Sequence, residues 1–355
     1  MARGDGLSPA VRPILITGAA GFIGAAVAER LLQRGERVVG LDNLNPYYAP
    51  ALKQARLERL QGMPGADERF AFVQMDLENA ASMAELFARE RPRAVVHLAA
   101  QAGVRYSIEN PAAYLQSNLV GFGHVLEGCR HQGVDHLVYA SSSSVYGANR
   151  HLPFSEQQAV NHPVSLYAAT KKANELMAHT YSHLYGLPAT GLRLFTVYGP
   201  WGRPDMAPIL FARAILAGEP IRVFNGGQMR RDFTYIDDIV EGLVRCLDKP
   251  ATADPGFDPL APNPATAAAP HRLFNIGNAN PVELLQFIEG LEQALGCEAI
   301  KQFETLQPGD VIETEADCSA LEHWIGFRPA TLLSTGLNVF AQWAKDHPQL
   351  LGLNA

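Results

Sequence analysis

The chain has 355 residues, of which 47% are hydrophobic and 18% charged; this excludes disordered and fibrous classes and favours a large α/β unit with an appended lobe. A net charge of -7 without a basic run argues against nucleic acid as a partner, and no apolar stretch is long enough for a membrane span. The cysteines indicate neither a disulfide framework nor a metal site, so a cytoplasmic protein without a metal is expected; they are the widely separated Cys129, Cys246, Cys297 and Cys318.

The first predicted elements form one βαβ unit. Residues 13–17 are a continuous apolar run, as a buried parallel strand requires, and the glycine-rich run 18–24 follows at once. Residues 25–33 have apolar side chains at helical spacing. Residues 38–41 then form a second short strand that ends at Asp42.

Four more strands are predicted, each separated from the next by a helical segment, at residues 70–74, 94–98, 136–140 and 190–195. Strands that alternate with helices predict a parallel sheet with helices on both faces, the doubly wound Rossmann-type α/β fold. Asp42, Asp76, the serines 141–144 and Thr196 each follow a strand end. Because ligands of such sheets bind beyond the carboxyl ends of the strands, these residues predict a single site.

The strand–helix pattern loosens after residue 195, which predicts two parts. Residues 13–193, together with 230–249 and about 272–277, are predicted to form a dinucleotide-binding domain. Residues 194–229 and 250–355 are predicted to form a smaller substrate-binding lobe, interleaved with that domain. The polar residues 1–12 are expected to be a disordered tail.

The glycine run has the spacing of a turn that holds a pyrophosphate. Gly18 permits a tight turn, Gly21 lets the backbone approach the phosphates, and Gly24 lets the next helix pack closely on the strand. The helix N-terminus adds amide donors and a partial positive charge. A glycine-rich turn without a ligand is the alternative.

Asp42 favours NAD as the cofactor. It lies 18 residues after Gly24, where a carboxylate can bind both adenosine ribose hydroxyls and repel a 2'-phosphate. A helix cap or a loop anchor is the alternative for Asp42. Asp76 and Leu77 are predicted to contact the adenine, although Asp76 also suits a cap for the helix from residue 81. The NAD-binding candidates are Gly18, Gly21, Phe22, Ile23, Gly24, Asp42, Asn43, Asp76, Leu77, Tyr167 and Lys171.

Tyr167 and Lys171 are four positions apart and therefore share one helical face. A free tyrosine is too weak a base at neutral pH, and a neighbouring ammonium lowers its pKa. The pair therefore suits removal of a hydroxyl proton as hydride leaves a secondary alcohol, with a serine of the run 141–144 sharing the reacting oxygen. Taken alone, the pair also suits an ordinary half-buried tyrosine and a solvated lysine.

These elements, in this order, resemble the extended short-chain dehydrogenase/reductase superfamily, and denser motifs resemble its UDP-glucuronate 4-epimerases. An example is Gly-Pro-Trp-Gly-Arg-Pro-Asp-Met at 199–206. The resemblance covers about residues 13–343 and rests on segments 39–48, 97–107, 141–147, 162–167, 195–206, 230–238 and 307–311. It implies that bound NAD takes hydride from C4 of a UDP-sugar and returns it to the opposite face of the 4-keto intermediate.

The resemblance also implies roles at the reacting carbon. Tyr167 is implied as the base and then the acid, and Lys171 as the residue that tunes it. Ser142, which precedes Tyr167 by 25 residues, is implied as the hydroxyl that shares the substrate oxygen.

Ser143 and Ser144 bear on the type of reaction. Sugar-nucleotide 4,6-dehydratases carry an Asp-Glu pair at these places and UDP-glucuronate decarboxylases carry a Glu at the second, so the resemblance implies that elimination does not occur. Thr196 stands where UDP-galactose 4-epimerases commonly have an asparagine, which suits a neutral hexose. Threonine here favours a uronate.

The remaining candidates concern the charged groups of the substrate. A 4-keto uronic acid loses carbon dioxide readily, so its carboxylate must be held firmly; the candidates are Ser143, Ser144, Thr196 and Arg203. The resemblance further implies Arg231 at the diphosphate, Asp310 at the uridine ribose and Val223 in the substrate site. Gln307 replaces an arginine common in other epimerases, and Arg105 is the candidate to compensate for that charge.

A homodimer through helices near 111–131 and 167–185 is expected from the resemblance alone. Three other functions stay open: a 4-epimerase of neutral or N-acetylated UDP-hexoses, a net oxidoreductase or decarboxylase, and an NAD-sensing module without turnover. The intact Tyr167 and Lys171 disfavour the sensor, because binding alone needs no activated phenol.

Overall fold

A computed structural model describes residues 12–306 and 311–353. Its strands are β1 Ile14–Thr17, β2 Val38–Asp42, β3 Phe70–Gln74, β4 Ala94–His97, β5 His136–Ser142, β6 Ala189–Leu194, β7 Thr196–Tyr198, β8 Pro220–Val223, β9 Arg230–Arg231, β10 Phe233–Tyr235, β11 His271–Ile276, β12 Val282–Glu283 and β13 Ile300–Phe303. Strands β1 to β6 begin within one residue of the starts predicted from the apolar runs.

The α-helices alternate with the strands of the first half and dominate the second. They are α1 Phe22–Gln33, α2 Pro50–Gln61, α3 Ala66–Arg69, α4 Ala80–Glu90, α5 Tyr106–Glu109, α6 Pro111–Tyr114, α7 Gly121–Gln132, α8 Leu166–Tyr185, α9 Ala207–Ala217, α10 Ile236–Asp248, α11 Leu284–Leu295, α12 Ser319–Ile325 and α13 Leu333–Asp346. A π-helical turn, Leu115–Val120, joins α6 to α7.

Seven strands form one parallel sheet in the order β11-β6-β5-β4-β1-β2-β3. At its centre Ile14 of β1 lies opposite Val38 of β2 on one side and Ala94 of β4 on the other. The chain runs outward from β1 to β3 and returns to β4, so the strand order reverses between β1 and β4 and leaves a crevice there. The Rossmann-type fold predicted from the sequence is confirmed.

Alternate residues of the central strands face two separate apolar cores, which explains the continuous apolar runs. Ile14 and Ile16 belong to the core that also contains the buried faces of α1 and α10. Leu15 belongs to the core on the other face, with Phe87 of α4 and Phe122 of α7. The sheet is therefore covered on both faces, and the carboxyl ends of its strands are left to form a site.

The second half of the chain adds one strand to the large sheet and forms several short strand pairs. Strand β11 adds to the edge of the large sheet beside β6, and α10 packs against α1. Outside the large sheet, the second half forms three short strand pairs and three helices: β7 with β10, β8 with β13, β9 with β12, and α9, α11 and α13.

Residues 1–11 of the predicted disordered tail lie outside the described residues. Arg12 donates hydrogen bonds to the backbone oxygens of Arg91, Pro92 and Gly133. Among the helices of residues 12–306 and 311–353, none combines the length and the apolar character that crossing a bilayer requires.

Candidate active site

The carboxyl ends of the sheet strands open into a cavity of about 870 Å³. Its walls come from the segments after β1, β2, β4, β5 and β6, where ligands of open α/β sheets bind. Most residues singled out in the sequence line it: Gly18, Gly21, Phe22, Ile23, Gly24, Asp42, Asn43, Asp76, Leu77, Arg105, Ser142, Ser143, Ser144, Tyr167, Lys171, Thr196, Arg203 and Arg231.

Among the described candidates, Val223 does not line this cavity. Val223 is completely buried in an apolar core, whereas its neighbours Arg222 and Phe224 line the cavity. Strand β8 directs the Val223 side chain inward, so this side chain does not face the cavity, and a role for Val223 in the substrate site stays a prediction. Gln307 and Asp310 lie outside the described residues.

The glycine run forms a tight cradle at the start of α1. Gly18 has φ +74, and a Cβ on Gly24 would lie 2.0 Å from the Gly18 oxygen, so a larger residue at Gly24 cannot fit. Helix α1 begins after Gly21 with no side-chain cap and no acidic residue in its first turn. Its amide donors therefore face the cavity, and this cradle fits the pyrophosphate of NAD.

Asp42 both lines the cavity and anchors a loop. Its carboxylate accepts hydrogen bonds from the amides of Ala20 at 3.2 Å and Leu44 at 2.8 Å. The ammonium of Lys53, a residue not singled out from the sequence, lies 3.6 Å from Asp42 Oδ1. Burial lowers the pKa of Lys53, an effect that Asp42 opposes. The loop-anchor alternative is thus observed, while Asp42 also lines the cavity.

Asp76 is not a helix cap. The side chain of Asn79 caps α4 by accepting a hydrogen bond from the Ser82 amide at 3.0 Å. Asp76 lines the cavity, and its Oδ2 accepts a hydrogen bond from Asn43 Nδ2 at 3.2 Å. The two predicted adenosine-side residues therefore lie in contact.

Helix α8 carries Tyr167 and Lys171 into the cavity. The Ser165 side chain caps this helix by accepting from the Ala168 amide at 3.1 Å, so Tyr167 lies in the first turn. The Lys171 ammonium lies 6.0 Å from the centre of the Tyr167 ring and donates to the Ala140 oxygen at 2.9 Å. Burial lowers the pKa of Lys171 to about 8.

The pKa of Tyr167 differs from the sequence expectation. Burial raises it, and the groups that oppose this rise are a hydrogen bond with Ser142 and the charge of Arg203. Lys171 was expected to supply the lowering charge, but burial has the larger effect here and the opposing cation is Arg203. The phenol can thus hold a proton at neutral pH and sits beside groups that stabilise its anion.

The serines of the run 141–144 make different contacts. The Ser141 hydroxyl is buried and donates to Glu175 at 2.7 Å, which turns it away from the cavity chemistry. The Ser142 oxygen accepts from the Ser144 amide at 3.1 Å, and the Ser142 hydroxyl donates to the Ser144 hydroxyl oxygen at 3.1 Å. Among the four serines, Ser142 is the one whose hydrogen bonding opposes the rise in the Tyr167 pKa.

A buried ion pair links the helix that carries Tyr167 to strand β6. Arg193 of β6 donates two hydrogen bonds to Glu175 of α8, at 2.8 and 2.9 Å, and both side chains are almost completely buried. Glu175 lies one turn after Lys171 and also holds Ser141, so it ties the helix of the tyrosine to the strand of the serines. No periodicity or motif in the sequence indicates this pairing.

Two polar residues beside the cavity are occupied structurally. His97 Nδ1 lies 2.8 Å from Thr17 Oγ1, and burial lowers the pKa of His97 to about 3, so the ring is neutral. Asn118, in the π-helical turn, exchanges hydrogen bonds with the Gln101 backbone at 2.8 and 3.1 Å. Both side chains are therefore engaged in hydrogen bonds with neighbouring protein groups.

Arg203 lines the cavity, and its charge opposes the rise in the Tyr167 pKa. It donates from Nε and Nη2 to Asp205, and the Tyr47 hydroxyl donates to the same carboxylate at 3.1 Å. Asp205 raises the pKa of Arg203 against the effect of burial, so the guanidinium stays charged. Tyr47 and Asp205 were not singled out as site residues; only their position within the quoted motifs could have indicated them.

Phe224, also missed from the sequence, forms an aromatic platform at the other end of the cavity. The guanidinium of Arg105 lies 4.7 Å from its ring centre and that of Arg222 lies 5.0 Å away. Arg231 lines the same cavity. This end combines an aromatic ring with several cations, a combination that suits a base and its phosphates. No group of three or more His, Cys, Asp or Glu residues in the described part of the chain is arranged for a metal ion.

Comparison with known proteins agrees with this geometry. Residues 14–259 match the NAD dependent epimerase/dehydratase family. A protein of Rhizobium meliloti named probable UDP-glucuronate 4-epimerase is 47% identical over 93% of this chain and 96% of its own length. An uncharacterised 37.6 kDa protein of Escherichia coli O111:H- is 57% identical over 94% of this chain and 98% of its own length.

A solved structure gives the same result. The UDP-glucuronic acid 4-epimerase of Bacillus cereus, crystallised with UDP-glucuronic acid and NAD, has a TM-score of 0.83 and 33% identity over 94% of this chain and 99% of its own. The glycine cradle, the Tyr167 and Lys171 pair and these matches lead to one conclusion: the chain belongs to the NAD-dependent epimerase/dehydratase family.

Proposed function

We propose that the chain catalyses the reversible C4 epimerisation of UDP-glucuronate to UDP-galacturonate with tightly bound NAD. The observation that carries this proposal is that Tyr167, Lys171 and Ser142 line the same cavity as the glycine cradle. A secondary alcohol oxygen placed against the Tyr167 and Ser142 hydroxyls can lose and regain its proton.

NAD, when bound, supplies the acceptor and the donor of the C4 hydride. Gly18, Gly21 and Gly24 hold its pyrophosphate, and Asp42 binds the adenosine ribose. Within the described residues, Lys171 Nζ donates one hydrogen bond, to Ala140, so further N–H groups are available for ribose hydroxyls on the nicotinamide side.

The protein's own side chains move one proton in each direction. Tyr167 accepts the proton of the C4 hydroxyl as the 4-keto sugar forms and returns it when the hydroxyl is restored. Ser142 donates a hydrogen bond to the same oxygen, and Arg203 stabilises the phenolate that exists before the first step and again after the second. Tyr167 therefore acts as base and acid within one catalytic cycle.

The same site must prevent loss of the carboxylate. In decarboxylation the C5–C6 bond breaks, its electron pair enters the 4-keto sugar and carbon dioxide leaves. Hydrogen bonds from Ser143, Ser144, Thr196 and Arg203, which all line the cavity, hold the carboxylate away from the alignment that this step needs. The absence of carboxylic acids at 143 and 144 also removes the acid groups that elimination requires.

A second candidate, a 4-epimerase of neutral or N-acetylated UDP-hexoses, shares the chemistry at C4. Arg203 favours the uronate over it, because a guanidinium in the cavity interior suits an anion better than a neutral hydroxymethyl group. An NAD-sensing module is disfavoured by the presence of Tyr167, Lys171 and Ser142 in one cavity, since binding alone needs no activated phenol.

The proposal extends to the domain division, the assembly and the location. Residues 13–193, with 230–249 and about 272–277, bind NAD, and 194–229 with 250–355 form the lobe for the sugar nucleotide. The exposed apolar side chains Leu176 and Leu184 of α8 support a homodimer through α7 and α8. Four free thiols support the reducing cytoplasm.

Product analysis tests the function. We expect the purified protein, incubated with UDP-glucuronate and no added NAD, to form UDP-galacturonate until the two sugars reach a near-equal ratio. Tyr167→Phe, which keeps the ring, should lose activity by about 10²- to 10⁴-fold, whereas the surface control Tyr185→Phe should keep it. Formation of a UDP-pentose with carbon dioxide, or turnover of UDP-glucose alone, would refute the proposal.

A further inference from the structure

Arg56 of α2 is a completely buried arginine outside the cavity lining, with only 1% of its surface exposed. All five of its N–H donors are used. Nε and Nη2 donate to the Trp201 oxygen at 3.1 and 2.6 Å, and Nη2 also donates to the Gly202 oxygen at 3.0 Å. Nη1 donates to the Ala20 oxygen at 3.0 Å and to the Tyr48 hydroxyl at 2.8 Å.

These acceptors belong to separate loops beside the active site. Ala20 lies within the glycine cradle, and its amide is held by Asp42, so this residue is fixed from both sides. Trp201 and Gly202 directly precede Arg203, the cation beside Tyr167. One guanidinium therefore joins the turn that holds the cofactor to the loop that presents the carboxylate-binding arginine.

The geometry requires an arginine. A planar guanidinium reaches acceptors in several directions at fixed angles, whereas a lysine ammonium has three donors on one atom and cannot span two loops. Trp201 also has φ +63, an uncommon conformation for a tryptophan that the hydrogen bonds to its oxygen help to hold. The loop before Arg203 thus depends on Arg56 for its conformation.

We propose that Arg56 is a positioning residue that sets the place of Arg203 and links it to the cofactor turn. This inference rests on the proposed function and deepens it. Arg56 does not touch the substrate; it acts through the backbone of Trp201 and Gly202. Its loss should therefore affect handling of the substrate carboxylate more than the proton transfer at Tyr167.

The test compares wild type, Arg56→Lys and Tyr48→Phe, assayed with UDP-glucuronate and saturating NAD. Tyr48→Phe removes one of the five hydrogen bonds and serves if the lysine variant does not fold. Arg59→Gln is the matched control, because Arg59 lies one turn away on the same helix and contacts the Trp201 ring from a partly exposed position. The readouts are KM, kcat and the carbon dioxide released per UDP-galacturonate formed.

We expect Arg56→Lys to raise KM and the carbon dioxide released per UDP-galacturonate by about 10- to 100-fold, with a smaller change in kcat. Tyr48→Phe should raise KM and the carbon dioxide share by a smaller factor. Arg59→Gln should match wild type. In an Arg203→Met background, Arg56→Lys should add little, because both changes act on one interaction. A fall in kcat with KM and product ratio unchanged, or additive effects with Arg203→Met, would overturn the inference. An inactive wild type would instead refute the proposed function.

Discussion

Glu175→Gln removes the negative charge from the buried pair beneath the active site. The glutamine side chain keeps the shape, but Arg193, with 0% of its side chain exposed, then has no carboxylate partner. Breaking such a buried pair costs about 3–5 kcal/mol. With an unfolding entropy of about 2.1 cal/mol/K per residue over the 355 residues, or about 0.75 kcal/mol/K in total, Tm should fall by about 4–7 °C.

Thermal unfolding monitored by circular dichroism measures this shift. Glu127→Gln is the control, because Glu127 pairs with Arg130 on the surface, where such contacts contribute about 0–1 kcal/mol. The double variant Glu175→Leu/Arg193→Met should recover much of the loss, since it leaves no buried charge without a partner. An unchanged Tm in Glu175→Gln would refute the reasoning that this pair stabilises the sheet and α8.

Three further predictions concern the cofactor and pH. Gly24→Ala places a Cβ 2.0 Å from the Gly18 oxygen, so protein desalted after purification should hold little NAD by chromatography of the released nucleotide; a full complement would contradict the cradle. Asp42→Asn should weaken NAD binding and reduce the ratio of the affinity for NAD to the affinity for NADP, both measured by calorimetry; an unchanged ratio would count against the ribose contact. Burial lowers the pKa values of His97, His136 and His271 to about 3, 4 and 3. Denaturant titrations should therefore show the free energy of unfolding falling below about pH 6.5, by up to about 4 kcal/mol per pH unit, because these histidines bind protons in the unfolded chain but stay neutral in the folded one. A free energy of unfolding that does not change with pH would contradict the lowered pKa values.

Local patterns allowed the sequence to predict much of the fold. The apolar runs of β1 to β6 predicted parallel strands because both faces of these strands are buried, and the glycine run marked the turn after β1. The resemblance separately implied Ser142, and that residue lines the same cavity as Tyr167. These predictions depended on contacts between near neighbours or on the order of the motifs.

Other features depend on three-dimensional packing and left no local signal. In the sequence, Arg56 is one of several charged residues in a helical segment, yet the fold buries it between two loops that lie far apart along the chain. The rise in the Tyr167 pKa follows from burial, which a spacing of four residues cannot express. The inward direction of Val223 follows from how β8 packs on the core.

Isotope transfer tests the central claim, hydride removal and return at C4, most directly. UDP-glucuronate carrying deuterium at C4 should give UDP-galacturonate that retains deuterium at C4, and unlabelled substrate in D2O should gain none there. Because the 4-keto sugar stays in the cavity, a mixture of one substrate with deuterium at C4 and another with ¹³C in the sugar ring should give no product molecule that carries both labels. Loss of the C4 label, solvent deuterium at C4, or failure to form UDP-galacturonate would contradict the account.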